Sequence, residues 1–240
     1  MSAPSFRPLY DQIKILLTQS LIAGEWRPGE AIPSEIDLAA RFGVSQGTVR
    51  KAVDELAAEN ILVRKQGKGT FVSTHNEERT QVRFLRIHAD SGETEYPRSE
   101  VIDCRRDKAD ADVAKALELR PGAPVYVIRR LLFFSERPLI LDEIVLSAAL
   151  FKGLTAARLN EFKGSVYSFF ETQYGVRMIR AKERITAVAA AEQAAQHLAV
   201  PVGKPLLCVD RIAFTYGDKP VEWRRGLCHT DGYSYYNELA

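Results

Sequence analysis

Gln46, Gly47, Thr48 and Arg50 stand together at the start of a helix-like stretch, small or polar side chains with no apolar partner to bury against. At a helix N-terminus such residues can meet base edges and phosphates in the major groove, and glutamine can take adenine bidentately. Behind them Val49, Ala52, Val53 and Leu56 fall at i, i+3, i+4 and i+7, one apolar stripe facing a core. Ser45 suits the N-cap of that helix, and Gly43 the left-handed position closing the helix before it. The run Phe42–Arg50 therefore reads as a helix-turn-helix. Lys51 adds charge to the same helix, and Arg64, Lys65 and Lys68 surround the run Gln66-Gly67-Lys68-Gly69. Glycines there let backbone approach a groove closely, with Lys68 between them to meet phosphate. Taken alone, Gly67-Lys68-Gly69 is equally a solvated turn. Its position after a helix with a polar face favours contact.

The elements that must position these residues are legible on either side. Pro8-Leu9-Tyr10 opens a helix with Tyr10, Ile13, Leu16, Leu17 and Leu21 as its stripe, ending before Gly24. Pro28-Gly29 marks a turn. Ser34 caps a second helix, with Asp37 as its capping-box partner and Leu38, Ala39 and Phe42 as its buried side. Ile61–Lys65 and Thr70–Val72 are strand patterns joined by the glycine-rich turn, a wing. The expected organisation is a winged helix-turn-helix over residues 1–73, mainly α with a β-wing, a polar linker over 74–83, and a second domain over 84–240.

Composition bounds the function. Lys+Arg number 33 against Asp+Glu 31, so any basic footprint must be local. No apolar run approaches the ~20 residues that span a bilayer, and the N-terminus lacks a signal-peptide pattern. Cys104, Cys208 and Cys228 are odd in number and far apart, which favours neither a disulfide framework nor a zinc site. The chain reads as cytoplasmic, without metal or cofactor.

The second domain contains a repeat. Leu117-x-Leu119-x-x-Gly122-x-Pro124-Val125 and Arg130-Leu131-x-Phe133 recur as Leu198-x-Val200-x-x-Gly203-x-Pro205-Leu206 and Arg211-Ile212-x-Phe214, offset by 81 residues throughout. Each copy reads as an Ala-rich helix (Ala109–Leu117, Ala190–Leu198), a turn, a long strand and a returning strand. Two such units predict an antiparallel sheet with helices on one face, an α+β domain. Thr155–Glu161 and Ser165–Gln173 read as helices, Ser99–Cys104, Ile179–Val188, Val221–Cys228 and Tyr233–Leu239 as strands, and Ile87–Arg98 as an irregular loop.

Pro8-Leu9-Tyr10-x-Gln12-Ile13, Pro28-Gly29, Ile32-Pro33-Ser34-Glu35-x-x-Leu38-Ala39, Gly43-Val44-Ser45, Thr48-Val49-Arg50 and Gln66–Val72 together resemble the winged helix of the GntR family of bacterial transcription regulators, over nearly all of residues 7–72. The resemblance implies a homodimer on a pseudo-palindromic double-stranded DNA operator, a repressor released when a small molecule occupies the second domain. It places Ser34, Glu35, Ser45, Gln46, Gly47, Thr48, Arg50, Lys65, Gly67, Lys68, Gly69 and Thr70 at the DNA. Gln46 stands where the family usually has arginine, which alters the operator read rather than the activity. Asn60 stands where glycine is usual, and asparagine tolerates the left-handed cap.

Arg130-Leu131, Pro138, Glu143, Ser165-Val166-Tyr167, Tyr174-Gly175, Gly203-x-Pro205, Pro220-Val221-Glu222 and Asp231-Gly232-Tyr233 are similar to the effector domain of the HutC subfamily, called UTRA, which shares the chorismate lyase fold. The similarity implies a pocket formed by Arg130, Leu132, Glu143, Ser165, Tyr167, Glu222 and Tyr233. These suit a polar or anionic metabolite, with Arg130 a fork for carboxylate or phosphate. Many members carry a second arginine where this chain has Leu132, which weakens a site for a doubly charged phosphate. Structural alternatives stand beside this. Arg130 could pair with Glu143 across strands, Glu222 could be a solvated edge charge, and Tyr167, Phe169 and Phe170 read first as core. A lyase-like enzyme fused to a DNA-binding domain and a constitutive architectural protein are the competing functions.

Overall fold

The computed structural model describes residues 7–75, 84–93 and 95–238. The chain divides into two compact units between Thr74 and His75. Most of the linker expected at 74–83 lies outside the described residues. His75 does not behave as linker: it is 1% exposed, its N–H reaches the Glu171 carboxylate at 3.1 Å, and its Nε2 lies 2.9 Å from the Met178 carbonyl.

In the first unit, α1 (Leu9–Ile22), α2 (Glu35–Phe42) and α3 (Gln46–Ala58) precede a hairpin of β1 (Leu62–Lys65) and β2 (Gly69–Val72). Leu17, Leu38, Val49, Ala52 and Leu56 are each 1% exposed or less, so the i, i+3, i+4 stripes meet in one core. Each of the buried leucines and the valine stabilises by about 1.5–3 kcal/mol. Ser34 and Ser45 cap α2 and α3, accepting from the N–H groups of Asp37 and Thr48. Gly43 closes α2 at φ +66°. Ala39 and Phe42, expected inside, are only half-buried.

The second unit is built on a six-stranded antiparallel sheet in the order β4-β5-β6-β9-β8-β7. Its first half is β4 (Arg98–Lys108), α4 (Ala111–Ala116), β5 (Pro124–Phe134) and β6 (Arg137–Ser147). After α5 (Ala156–Glu161) and α6 (Val166–Tyr174) come β7 (Arg180–Ala189), α7 (Glu192–Leu198), β8 (Pro205–Phe214) and β9 (Pro220–Cys228). The repeat read from the sequence is thus physical and also takes in the strand before each helix. Arg105 pairs with Val127 and Thr186 with Cys208, the same register 81 residues apart. The two copies meet where β6 pairs with β9.

Helices cover both faces rather than the single face expected. Alternation along β5 explains this: Val125, Val127, Leu131 and Phe133 face α4 and α7, while Tyr126 and Ile128 face Phe169 and Phe170 of α6. Helix α7 packs on Leu131 and Leu141, in the opposite copy, and Trp223 of β9 packs against the cluster around α4. Residues 87–98, expected as a loop, supply β3 (Ile87–Ala89), which pairs with β10 (Tyr233–Tyr235). Of the strand expected at 233–239, only those three among the described residues pair in this way, and β4 runs well beyond Cys104.

Candidate nucleic-acid interface and ligand cavity

On the first unit Gln46, Gly47 and Arg50 are exposed on the first turns of α3, with Thr48 half-buried behind them. Ser45 Oγ lies 2.9 Å from Thr48 Oγ1, so both hydroxyls fix the helix start as well as facing outward. Glu35, at the start of α2, receives Arg50 Nε at 2.9 Å, Arg64 at 2.9 Å and the Gln46 amide at 3.4 Å. A carboxylate therefore aims three donors from α3 and β1. Arg50 and Arg64, with side chains 57% and 43% exposed, can exchange it for phosphate. The Glu35 carboxyl is held below its usual range: burial opposes this, and the hydrogen bonds from Arg50 and Arg64 outweigh it. Lys65 lies 5.0 Å over the Phe71 ring, and Lys51 is engaged 3.8 Å over Tyr10. At the wing tip Gly67 and Gly69 have φ of +69° and +109°, which an L side chain resists, and Lys68 between them is exposed. Thr70 follows, half-buried on β2. Asp54, which holds Arg64 at 2.6 Å, was not singled out from the sequence.

The second unit holds a cavity of about 400 Å³, partly open to solvent, on the α6 side of its sheet. Arg130, Leu132, Ser165 and Tyr167 line it, as do Asp142, Arg211, Arg224 and Tyr235, which sequence reasoning passed over. Arg130 donates through Nε and Nη2 to one oxygen of Asp142 at 2.9 and 2.8 Å. Arg224 reaches the same oxygen at 3.4 Å and Glu222 at 3.0 Å. The Tyr167 hydroxyl donates to Glu222 at 2.8 Å and accepts from Arg211 at 3.3 Å, and Arg211 donates to Glu183 at 2.7 Å. Three guanidiniums and three carboxylates thus form one chain. Burial works against charge on Asp142, yet Arg224 and Arg130 hold its pKa below the ordinary value. Burial also lowers Arg130, while Glu222, Tyr167 and Asp142 overcome burial to raise Arg224. Burial pushes the Tyr167 hydroxyl up to about 12, so it stays a donor. Among the described residues Arg224 Nε has no hydrogen-bond partner.

Other expected residues lie elsewhere. Glu143 does not join Arg130: it faces away from the cavity, in register with Arg129 and Arg225. The cause is a bulge between Leu132 and Phe133 that adds Leu139 to β6. Without it Glu143 would lie opposite Ile128, on the cavity side; the one-residue slip flips it and brings Asp142 in. Tyr233 packs edge-on to Phe134 and bonds Glu95 at 3.2 Å, outside the cavity lining. Glu222 is fully buried behind Tyr167, not a solvated edge charge. Ser165 lines the cavity while its Oγ caps α6 through the Ser168 N–H at 3.1 Å. Arg224 stands opposite Arg211 as Asp142 stands opposite Arg130, but the second hairpin is one residue longer, so the offset of 81 leads from Asp142 to Trp223 and did not reveal it.

Residues 9–72 match the bacterial regulatory proteins of the gntR family, and residues 93–234 match the UTRA domain. The ligand-binding domain of a proposed GntR-family transcriptional regulator from Bordetella bronchiseptica is 45% identical, with a TM-score of 0.65, over 66% of this chain and 98% of that one. The mannosyl-D-glycerate transport/metabolism system repressor MngR of Escherichia coli (strain K12) is 28% identical over 95% of both chains. The histidine utilization repressor of Klebsiella aerogenes is 29% identical over 75% of this chain and 76% of its own. Among the described residues no helix is long and apolar enough to cross a membrane. A winged helix followed by an effector domain makes this a DNA-binding transcription regulator under metabolite control. The chain belongs to the GntR family of bacterial regulators, in the HutC branch whose second domain is UTRA.

Proposed function

We propose that the protein is a homodimeric repressor whose effector is a small monoanion with an apolar body, bound in the cavity of the second unit. The observation that carries this is the Arg130–Asp142–Arg224 cluster at the cavity wall. With Arg211 it makes three arginines, already met by three carboxylates, Asp142, Glu222 and Glu183. Arg130 gives one N–H of Nε and one of Nη2 to Asp142, so three of its five donors, on Nη1 and Nη2, remain as a fork for a ligand. One carboxylate of the effector can take that fork. A phosphate monoester of nearly two charges would lie against Asp142, with the arginine charge already offset by Asp142, Glu222 and Glu183. Leu132, Ile128, Ile140 and Phe169 provide the apolar lining. The first unit carries Gln46, Gly47, Thr48 and Arg50 to the groove and Lys68 to the flanking backbone. A two-fold pair of such units reads two half-sites ~34–36 Å apart.

Calorimetry with alkyl and aromatic monocarboxylates, amino acids and sugar phosphates tests the effector class, read beside operator release. A monocarboxylate should bind and dissociate the operator complex, and Leu132→Arg should weaken it. Tight binding of a sugar phosphate to the wild-type protein would sink the proposal.

A further inference from the structure

Strands β4 and β7 are equivalents in the repeat and form the two free edges of the same sheet. Free edges invite another strand, and proteins guard them with charge. The ends of these strands are guarded very differently. Arg105-Arg106-Asp107-Lys108 closes β4, whereas the equivalent stretch of β7 is Thr186-Ala187-Val188-Ala189. Ile185 before it is 43% exposed and Val188 37%, and every residue of 184–189 is exposed. In one fold, at one register, one edge repels a neighbour and the other does not.

We propose that β7 pairs antiparallel with β7 of a second copy, joining two six-stranded sheets edge to edge; this rests on the dimeric reading above and locates its interface. Antiparallel self-pairing is two-fold symmetric, as an isologous dimer requires. The uncharged run Ile185–Ala189 is centred on Ala187. A two-fold axis there sets Thr186 against the partner's Val188 and Ile185 against the partner's Ala189. It also brings Lys182 towards the partner's Glu192, in the first turn of α7. Charge then flanks an apolar centre, the pattern of a specific interface. The guarded edge at β4 keeps the joined sheet from growing into a filament.

Sedimentation of the full chain, with and without operator DNA, tests this. Wild type should be a dimer. Ala187→Arg combined with Val188→Asp copies Arg106 and Asp107 onto β7 and should weaken self-association on the order of a hundredfold or more. Arg106→Ala on β4 should change nothing. Ala187→Cys should form a crosslinked dimer on mild oxidation, because facing Cα atoms of antiparallel strands lie about 4.5–5.5 Å apart. If the charged variant fails to fold, the crosslink decides. A wild-type dimer that neither crosslinks at position 187 nor responds to the charges overturns the β7 interface and leaves the dimer standing. A wild type that is monomeric both free and on DNA overturns both.

Discussion

Each unit holds a carboxylate shared by two arginines. Glu35 takes Arg50 and Arg64 at 2.9 Å each, and Asp142 takes Arg130 at 2.8 Å and Arg224 at 3.4 Å. The chemistry is the same and the surroundings are not. Arg50 keeps 57% of its side chain in solvent, and Arg130 keeps 7%. An exposed pair of this kind is worth about 0–1 kcal/mol, so it steadies the arginines cheaply and lets them go to a phosphate. A buried cluster adds little net stability when whole, yet losing one member strands a charge in low dielectric. Exposure therefore turns one motif into a releasable set of arms and the other into fixed scaffolding.

The sharpest way to break that contrast is to remove each carboxylate. Asp142→Ala should cost about 3–5 kcal/mol of stability, and Glu35→Ala no more than about 1 kcal/mol, by denaturant unfolding. Equal losses would mean that burial does not decide the difference. Arg50→Ala should leave the melting temperature unchanged and weaken operator binding at least tenfold, about 1.4 kcal/mol, in a titration at physiological salt. A smaller effect sharpens the picture of the exposed edge. Lys68→Ala should lower the slope of log affinity against log salt by about one for each phosphate the side chain no longer neutralises, across operator and random sequence alike.

Acid gives the least dramatic comparison. Folded-state pKa values of Glu35 and Asp142 lie below their ordinary 4.5 and 3.8. Each contribution is complete above the unfolded value and disappears as pH falls through the lower, folded one. Stability at neutral pH should therefore be flat, with acid loss beginning below about pH 4.5 for Glu35 and lower for Asp142. Half-molar salt should reduce the acid-sensitive part removed by Glu35→Gln and spare that removed by Asp142→Asn, in pH-dependent melts.

The winged helix was legible because its signals are local. Ser34, Ser45 and Gly43 declare helix ends within a few residues of themselves, and Asn60 adopts the left-handed cap at φ +58°. The repeat was legible because an offset of 81 residues needs no knowledge of pairing. Asp142 was not. Two neighbouring carboxylates, Asp142 and Glu143, must point to opposite faces, and only the Leu139 bulge says which one meets Arg130. The hairpin turn before it has Ser135 and Glu136 both at positive φ without the glycine or asparagine usual there, so its type, and with it the register, could not be read. The extended stretch at 87–89 hid for a different reason. Its partner is Tyr233–Tyr235, at the far end of the chain, and a three-residue strand has too little periodicity to show alone.

The crossed seating of α7 on Leu131 and Leu141 bears on how the second unit comes into being. A helix that buries its alanine face on the other copy's strands leaves neither half a complete core. The halves cannot be separated into independent folding units, and a truncated copy would expose Leu131 and Leu141 together. Synthesis from the N-terminus delivers β5 and β6 well before α7 exists to cover them. Folding must wait for long loops to close, so it belongs with the slow, high-contact-order class. Unfolding, by the same wiring, should run through both copies in a single cooperative step.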